Sequence, residues 1–344
     1  MTEPMETPAL LTARGLAKFY PVRQGVIPRT VGQVHAVDGV DFALRRGETL
    51  GLVGESGCGK STVGRLLVGL EAPTAGQVLL YGEPLPVGAG RGRRQRESRA
   101  RLQMVFQDTY SSLNPRKRIG DILTAPMRYH GIVTRKAAWR EACALLEQVG
   151  LPAAAYDRYP HEFSGGQRQR VGIARALSLK PELIVCDEPV SALDVSIQAQ
   201  ILNLLRDLQQ QLGLTYLFIG HGLAAVNYVS QRIAVMYLGK IVETAPAQAL
   251  FKTPAHPYTV ALCDAAPEPD PALRGRARLV LGGEAQAGVT IPTGCRFHPR
   301  CPYATDLCRT AEPPLAPVAG LGDGRLCACH HAAALLVQKG GGTP

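Results

Sequence analysis

The sequence lacks any hydrophobic run that approaches the roughly 20 residues needed to cross a bilayer. Its first residues, Met1 to Glu6, have neither the basic start nor the apolar segment of a secretory signal. Acidic residues are also scarce: the chain has 28 Asp and Glu but 38 Lys and Arg, which gives a net charge of +10. These shortages argue against an integral or secreted protein and predict a cytoplasmic chain. The positive balance suits nucleotide phosphates, nucleic acid or an anionic membrane surface, and composition does not choose among them.

Cysteines are not scarce, but their distribution is uneven. The chain has nine, an odd number, and a cytoplasmic location disfavours disulfides. Four are scattered and are interpreted as packing residues: Cys58, Cys143, Cys186 and Cys263. The other five lie between Cys295 and Cys329, where prolines are also dense. We therefore place a domain boundary near residue 255, which predicts a main domain over 10–255 and a small C-terminal extension over 256–335.

Short apolar segments alternate with helical patterns through the main domain. Glu48 to Val53 reads as a strand, followed by a Gly-rich turn and a helix over Lys60 to Gly69. Further helices are predicted over 119–149 and 164–179, and strands over 183–186 and 215–219. In the next helical segment one face is expected to be apolar; its residues are Ile197, Ile201, Leu204, Leu205, Leu208 and Leu212. A hairpin that turns at Gly239-Lys240 is predicted from the two segments Arg232 to Leu238 and Ile241 to Glu243. The alternation indicates an α/β fold.

The Gly-rich turn carries the first chemical signal. Residues 54–62 read GESGCGKST and match the phosphate-binding pattern G-x-x-x-x-G-K-[ST]. The predicted nucleotide contacts are Gly54, Glu55, Ser56, Gly57, Cys58, Gly59, Lys60, Ser61 and Thr62. Backbone N–H groups and the helix start meet the phosphates, Lys60 neutralises them, and Ser61 places its hydroxyl on Mg²⁺. This motif alone fits kinases, GTPases and many ATPases.

A second motif narrows the class. Residues 163–170 read FSGGQRQR and resemble the signature of the ABC family of ATPases. The resemblance implies a RecA-like α/β core, an antiparallel β subdomain and an inserted helical subdomain that bears the signature. It also implies that the signature binds the γ-phosphate of ATP held by the opposite subunit. The residues concerned are Ser164, Gly165, Gly166 and Gln167.

The strand over 183–186 ends in two acids. Asp187 is predicted to hold Mg²⁺ and Glu188 to be the general base that activates the attacking water, because ligands bind at the carboxyl ends of such strands. The family resemblance adds Asp194, in a loop that links two nucleotide sites. It also adds His221, which contacts the γ-phosphate, although Gly220-His221-Gly222 stands where Ser-His-Asp is usual.

Two further residues follow from the same resemblance. Gln107 matches a family glutamine that touches Mg²⁺ and the attacking water, in a loop that faces the membrane subunits. Tyr20 matches the aromatic residue that stacks on adenine, with the adjacent Phe19 as the alternative. ATP and Mg²⁺ are thus the expected cofactors, and nucleic acid is not an expected partner.

Other segments resemble one subfamily, the ATP-hydrolysing subunits of bacterial dipeptide and oligopeptide importers. They are residues 106–116, 187–198, His256 to Thr259 and Gly294 to Pro302, and the likeness covers about 10–335. Thr109 and the stretch 282–293 depart from the pattern. The resemblance implies a second, related ATPase as partner, two permease subunits, an external substrate-binding protein and a place on the cytoplasmic face of the inner membrane. An importer of nickel or glutathione, or a soluble ABC ATPase, remains the alternative.

The clustered cysteines predict a metal site in the extension. Thiolates gathered in a reducing compartment are typical of zinc or iron–sulfur sites, and the spacing alone slightly favours zinc. Related importer ATPases carry a [4Fe–4S] cluster there, and that resemblance favours the cluster. The implied ligands are Cys295, Cys301, Cys308 and Cys329, with Cys329 fitting better than Cys327. An unmetallated, reduced set and a redox sensor are the alternatives.

Overall fold

The computed structural model describes residues 9–24, 29–86, 92–265, 291–318, 322 and 324–340. Its main element is an eight-stranded mixed sheet in the order β11-β12-β10-β9-β3-β8-β7-β6. These strands span Ala316–Pro317 (β11), Leu326–Cys327 (β12), Lys240–Pro246 (β10), Arg232–Tyr237 (β9), Thr49–Val53 (β3), Thr215–Gly220 (β8), Leu183–Asp187 (β7) and Leu102–Val105 (β6). The five strands from β9 to β6 are parallel, with β10 to β11 added antiparallel at one edge. The predicted α/β class is therefore confirmed.

A second, antiparallel sheet packs against this one. Its order is β2-β1-β4-β5, with strands Arg29–Arg45 (β2), Ala9–Gln24 (β1), Ala75–Leu80 (β4) and Glu83–Pro84 (β5). Between the sheets lies the helix Lys60–Leu67 (α1), whose Val63, Leu66 and Leu67 are fully buried. This placement puts the start of α1, and the Gly-rich turn before it, at the carboxyl edge of the central strands.

Helices occupy the middle of the chain. They are Arg93–Arg101 (α2), Thr109–Ser112 (α3), Ile119–Tyr129 (α4), Ala138–Gln148 (α5), Gly165–Leu177 (α6), Val195–Leu212 (α7), Leu223–Val229 (α8) and Ala247–Lys252 (α9). The single helix expected over 119–149 is two helices, because the chain turns between them at Gly131, whose φ is +71°. Helix α6 agrees with the prediction to within two residues at either end.

The apolar face expected on α7 is mostly real. Ile201, Leu205 and Leu208 are buried, and Ile197 and Leu204 pack partly against the same core. Leu212 does not belong to the face, because it lies at the last turn of α7 and is 47% exposed. The hairpin of β9 and β10 also turns one residue earlier than expected: Leu238 and Gly239, both with positive φ, form the turn, and Lys240 begins β10.

The C-terminal extension is built onto the main sheet. Helix Pro257–Ala265 (α10) is followed after the gap by helices Asp306–Thr310 (α11) and Ala332–Gly340 (α12), while β12 pairs with β10 through Glu243 and Cys327. The boundary near 255 remains a prediction, and strands from both sides of it belong to one sheet. Residues 282–290 of the unusual linker lie outside the described residues. In the described ranges, no helix has the length and apolarity to span a bilayer.

Candidate nucleotide site

The Gly-rich turn follows β3 and curls tightly into α1. Gly54 and Gly59 have φ values of +155° and +108°. A Cβ on Gly54 would lie 2.2 Å from the Met236 carbonyl oxygen, and one on Gly59 would lie 1.9 Å from the Ala36 carbonyl oxygen. Only glycine fits at either position, so both the curl and the close backbone packing depend on these residues.

Lys60 is held beneath the turn. Its side chain is only 4% exposed, and its ammonium group donates to the carbonyl oxygens of Gly54 (2.8 Å) and Glu55 (2.9 Å). The buried Sγ of Cys58 lies 3.8 Å from the same ammonium group. A fixed positive charge therefore stands at the base of the loop, where it can meet an anionic phosphate group.

Ser61 and Asp187 bring two oxygen ligands together. The Ser61 hydroxyl donates to Oδ1 of Asp187 at 2.8 Å, although the two residues are 126 positions apart. Burial raises the pKa of the Asp187 carboxyl, while the hydrogen bond from Ser61 acts in the opposite direction. A cation would offset the cost of this buried carboxylate, and hydroxyl and carboxylate oxygens are ligands that Mg²⁺ prefers. The pair thus fits the predicted Mg²⁺ site.

The predicted catalytic side chains meet at Glu188. Oε2 of Glu188 lies 3.0 Å from Nδ1 of His221 and accepts from the Gln107 amide at 3.2 Å. The Gln107 amide is also 3.4 Å from the Ser191 hydroxyl. These residues follow β7, β8 and β6, whose carboxyl ends share one edge of the sheet. Glu188 has a φ of +45°, a strained conformation for a residue other than glycine and one that is concentrated at functional sites.

Most of these side chains line one cavity of about 490 Å³; Asp187 and Ser191 are not among its lining residues. It is lined by Ala36, Ser56, Gly57, Gly59, Lys60, Ser61, Thr62, Gln107, Glu188 and His221. The cavity combines the Lys60 ammonium group, the backbone of the phosphate loop and a Glu188 carboxylate that His221 and Gln107 hold in place. That arrangement suits a phosphate ester with a water molecule poised for attack.

Tyr20 is not among the residues that line this cavity. Its hydroxyl donates to Glu71, and one ring face has the Lys18 ammonium group 5.2 Å from its centre. Phe19, the alternative, packs its ring on His35 with 4.1 Å between ring centres. The adenine contact of Tyr20 stays a prediction.

The signature residues form a capped helix start away from the cavity. The Ser164 hydroxyl accepts from the Gln167 N–H at 3.3 Å, and the Gln167 amide oxygen accepts from the Ser164 N–H at 3.0 Å. Ser164 and Gln167 are exposed, while Gly166 is buried against Ile197 of α7. None of the four signature residues, all within the described ranges, lines the cavity. Asp194, at the start of α7, is exposed as well.

The four predicted thiol ligands come together in the extension. Cys295, Cys301, Cys308 and Cys329 line one pocket of about 10 Å³, which has room for about one water molecule. Burial and the neighbouring thiols raise the pKa of Cys329 to about 12. Cys327 points elsewhere and packs against Ala255 and Val318. In the part of the chain that the structure describes, no group of three or more His, Cys, Asp or Glu is arranged to hold a metal ion.

Known proteins share both the cassette and the extension. The profile of the ABC transporter family matches residues 37–191, and that of the oligopeptide/dipeptide transporter C-terminal region matches residues 242–308. The probable peptide ABC transporter ATP-binding protein y4tS of Sinorhizobium fredii is 54% identical over 94% of this chain and 90% of its own length. The chain belongs to the ABC transporter family. It is an ATPase of that family, with the ATP and Mg²⁺ chemistry that membership brings.

Two further proteins bear on this ATPase. The dipeptide transport ATP-binding protein DppF of Haemophilus influenzae is 48% identical over 96% of this chain and 98% of its own length. The dimeric structure of MJ0796, a bacterial ABC transporter cassette, superposes with a TM-score of 0.60 at 24% identity, covering 69% of this chain and 98% of that one. The second likeness shows the fold alone, and it confirms the cassette architecture expected from the motifs.

Some residues that touch the site of this ATPase escaped the sequence analysis. Ala36, on β2, lines the cavity. Tyr258 and Arg300, from the extension, both contact Glu55 of the phosphate loop. They lie in segments that resemble the importer subfamily, but a contact across 203 or 245 positions leaves no local signal in the sequence.

Proposed function

We propose that this ATPase couples binding and hydrolysis of MgATP to the uptake of dipeptides or oligopeptides. The proposed ATP hydrolysis is supported by the convergence of Glu188, His221 and Gln107 on one cavity with the phosphate loop. The cargo rests on the match to the oligopeptide/dipeptide transporter C-terminal region and on the peptide transport names of the relatives.

Glu188 is the general base of the proposed reaction. Its carboxylate accepts a proton from a water molecule as the water oxygen bonds to the γ-phosphorus of ATP and the bond to the β-phosphate oxygen breaks. ADP and phosphate are the products. His221 and Gln107 hold the carboxylate in place, and Lys60 balances the negative charge that gathers on the phosphate oxygens.

Ser61, Asp187 and Gln107 are the residues that would hold Mg²⁺. The metal supplies positive charge that draws electron density from the phosphate groups. The Asp187 carboxylate, hydrogen-bonded to Ser61, supports this assignment because burial disfavours its charge and a bound cation would offset that cost.

The exposed signature supports a two-subunit motor. Ser164 to Gln167 contact the γ-phosphate of an ATP molecule held by another subunit, and Asp194 lies at the same interface. The partner is a second, related ATPase, and the pair drives two permease subunits that receive cargo from an external substrate-binding protein. This chain then sits on the cytoplasmic face of the inner membrane. Import of nickel or glutathione is the alternative cargo, and a soluble ABC ATPase is the alternative class.

Uptake of labelled di- and oligopeptides by the native host tests the proposal. A host in which Glu188→Gln replaces the wild-type chain should lose uptake while the level of the protein is unchanged. Glu182→Gln, at the opposite end of β7, is the matched control and should keep uptake. Normal peptide uptake in the Glu188→Gln host, with ATPase activity abolished in the purified complex, would contradict the assignment of peptides as the cargo. The assignment of Glu188 to ATP hydrolysis would stand.

The finer proposal for the extension is a metal bound by Cys295, Cys301, Cys308 and Cys329. Their convergence on one pocket supports it, and the subfamily resemblance favours a [4Fe–4S] cluster. Zinc is the alternative metal.

Metal analysis of anaerobically purified protein decides this point. About four irons with matching acid-labile sulfide per chain would support the cluster, and about one zinc would support the alternative. Replacing both Cys301 and Cys308 by Ser should remove the metal, whereas Cys143→Ser, buried in α5, should not. A metal-free wild-type protein would contradict both readings and leave a reduced thiol set.

A further inference from the structure

The phosphate loop is tied to the C-terminal extension by a paired salt bridge. Nη1 of Arg300 lies 2.8 Å from Oε2 of Glu55, and Nη2 lies 3.0 Å from Oε1. This two-point geometry is the strongest form of an Arg–carboxylate pair. The Arg300 side chain is 11% exposed and that of Glu55 is 27% exposed, so water screens the pair only in part.

The backbone of Glu55 is held from the same side. Its N–H donates to the hydroxyl oxygen of Tyr258 at 2.8 Å. Tyr258 is fully buried and packs against Tyr237 and Phe297, with ring centres 4.6 Å and 5.5 Å apart. Both the side chain and the backbone of one phosphate-loop residue are therefore fixed by residues of the extension.

A neighbouring arginine fixes the opposite side of the loop. Arg296, 7% exposed, donates to the Leu238 carbonyl oxygen and pairs with Asp38. The N–H of Gly239, next in the chain, donates to the Cys58 carbonyl oxygen at 3.0 Å. The extension thus supports the turn between β9 and β10, and that turn supports the loop. Arg300 is the direct contact, and Arg296 acts one step further away.

The charges of the Arg300–Glu55 pair affect the binding of ATP. Glu55 adjoins Ser56 and Gly57, which line the cavity where phosphate groups bind. An unpaired carboxylate there would repel ATP, whereas a guanidinium group, charged at every physiological pH, cancels it. The hydrogen bonds that Arg300 donates to Glu55 raise the pKa of its guanidinium group further.

We propose that Arg300 is a positioning residue for ATP: by pairing with Glu55 it neutralises and orients the phosphate loop, so the C-terminal extension sets the affinity of the site. This inference deepens the proposed function and rests on the nucleotide site described above. Arg300 makes no contact with the reacting atoms in this proposal. Its effect falls on binding of ATP rather than on the chemical step.

Equilibrium binding of MgATP to the full chain measures the effect. Arg300→Gln should raise the Kd for MgATP about fivefold to tenfold, because one uncompensated negative charge then lies in the loop that binds the phosphates. Arg300→Lys keeps the charge but not the two-point geometry, so its Kd for MgATP should lie between those of the wild type and Arg300→Gln. In the assembled transporter, Arg300→Gln should raise the KM for ATP and leave kcat nearly unchanged.

Arg309→Gln is the matched control. Like Arg300, which is next to Cys301, Arg309 is next to one of the clustered cysteines, Cys308. Its side chain, however, is 65% exposed, and it lies 3.9 Å from the carboxylate of Asp306. Its loss should leave both the Kd and the KM for ATP at the wild-type value. A rise as large as that of Arg300→Gln would mean that any damage to the extension weakens binding, and it would overturn the proposal.

The double variant Glu55→Gln/Arg300→Gln separates positioning from loss of structure. Removing both charges should recover most of the affinity that Arg300→Gln loses. An unchanged Kd in Arg300→Gln, or no recovery in the double variant, would overturn the role of Arg300. Failure of the wild-type chain to bind MgATP would instead overturn the proposed function, so the two failures are distinguishable.

Discussion

The cavity and the signature helix start are built in opposite ways. Around the cavity, side chains from three strands are paired within the chain, as in the contacts of Glu188 with His221 and Gln107. At the start of α6, Ser164 and Gln167 cap their own helix and otherwise face solvent. In the proposed function this helix start binds a phosphate group that belongs to another subunit.

In the proposed pair of subunits, each chain therefore holds two unlike halves of a site. The half around the cavity contains the phosphate loop, the proposed metal ligands and the proposed base. The signature supplies a positive helix end that meets the cavity of another subunit in the proposed pair. A signature variant should therefore lower hydrolysis by the assembled pair without weakening the binding of ATP to its own chain.

The largest expected effect lies in the cavity. Glu188→Gln removes the proton acceptor but keeps the shape and the hydrogen-bonding partners of the side chain. We expect the hydrolysis rate of the purified transporter to fall about 100-fold or more, with ATP affinity retained. Steady-state phosphate release measures the rate, and a rate within threefold of wild type would contradict the assignment of the base.

The signature half should be sensitive to packing at one glycine and tolerant at its neighbour. A Cβ on Gly166 would lie 2.5 Å from Cγ2 of Ile197, whereas one on Gly165 would lie 3.3 Å from the flexible end of Leu193. Gly166→Ala should thus lower the free energy of unfolding by about 1–3 kcal/mol, and Gly165→Ala should change it much less. Denaturant unfolding compares the two, and equal losses would contradict the close contact of α6 with α7.

The smallest expected effect concerns the unusual residue after His221. Gly222 is the N-cap residue of α8, and a Cβ there meets no atom within 4 Å. Gly222→Asp should fit without strain, and as a better helix cap it should stabilise the fold by a few tenths of a kcal/mol. If the missing carboxylate limits His221, turnover should also rise. Thermal unfolding and phosphate release test both effects, and destabilisation would contradict the open space at this position.

Much of the cavity could be predicted because its residues lie in short motifs at strand ends. The phosphate loop, Asp187, Glu188 and His221 each sit beside a predicted strand, and parallel strands bring their carboxyl ends together. The helix start at Ser164 was equally visible from local sequence.

The support behind the loop could not be predicted. The pair of Arg300 with Glu55 and the pairing of β12 with β10 join segments that are distant in the chain, and periodicity carries no information about such contacts. Local turn geometry was missed as well: Gly131 breaks a long helical pattern, and Leu238 adopts a positive φ that is rare for its residue type.

One paired measurement on Ser164→Arg tests the division of the site most directly. ATP affinity is measured on the full chain, and ATP hydrolysis is measured on the transporter assembled with the same variant. The bulky cation blocks the approach of another subunit's ATP, so we expect unchanged affinity and loss of nearly all hydrolysis. Loss of affinity in parallel with hydrolysis, or hydrolysis at the wild-type rate, would contradict a signature that acts on a neighbouring subunit.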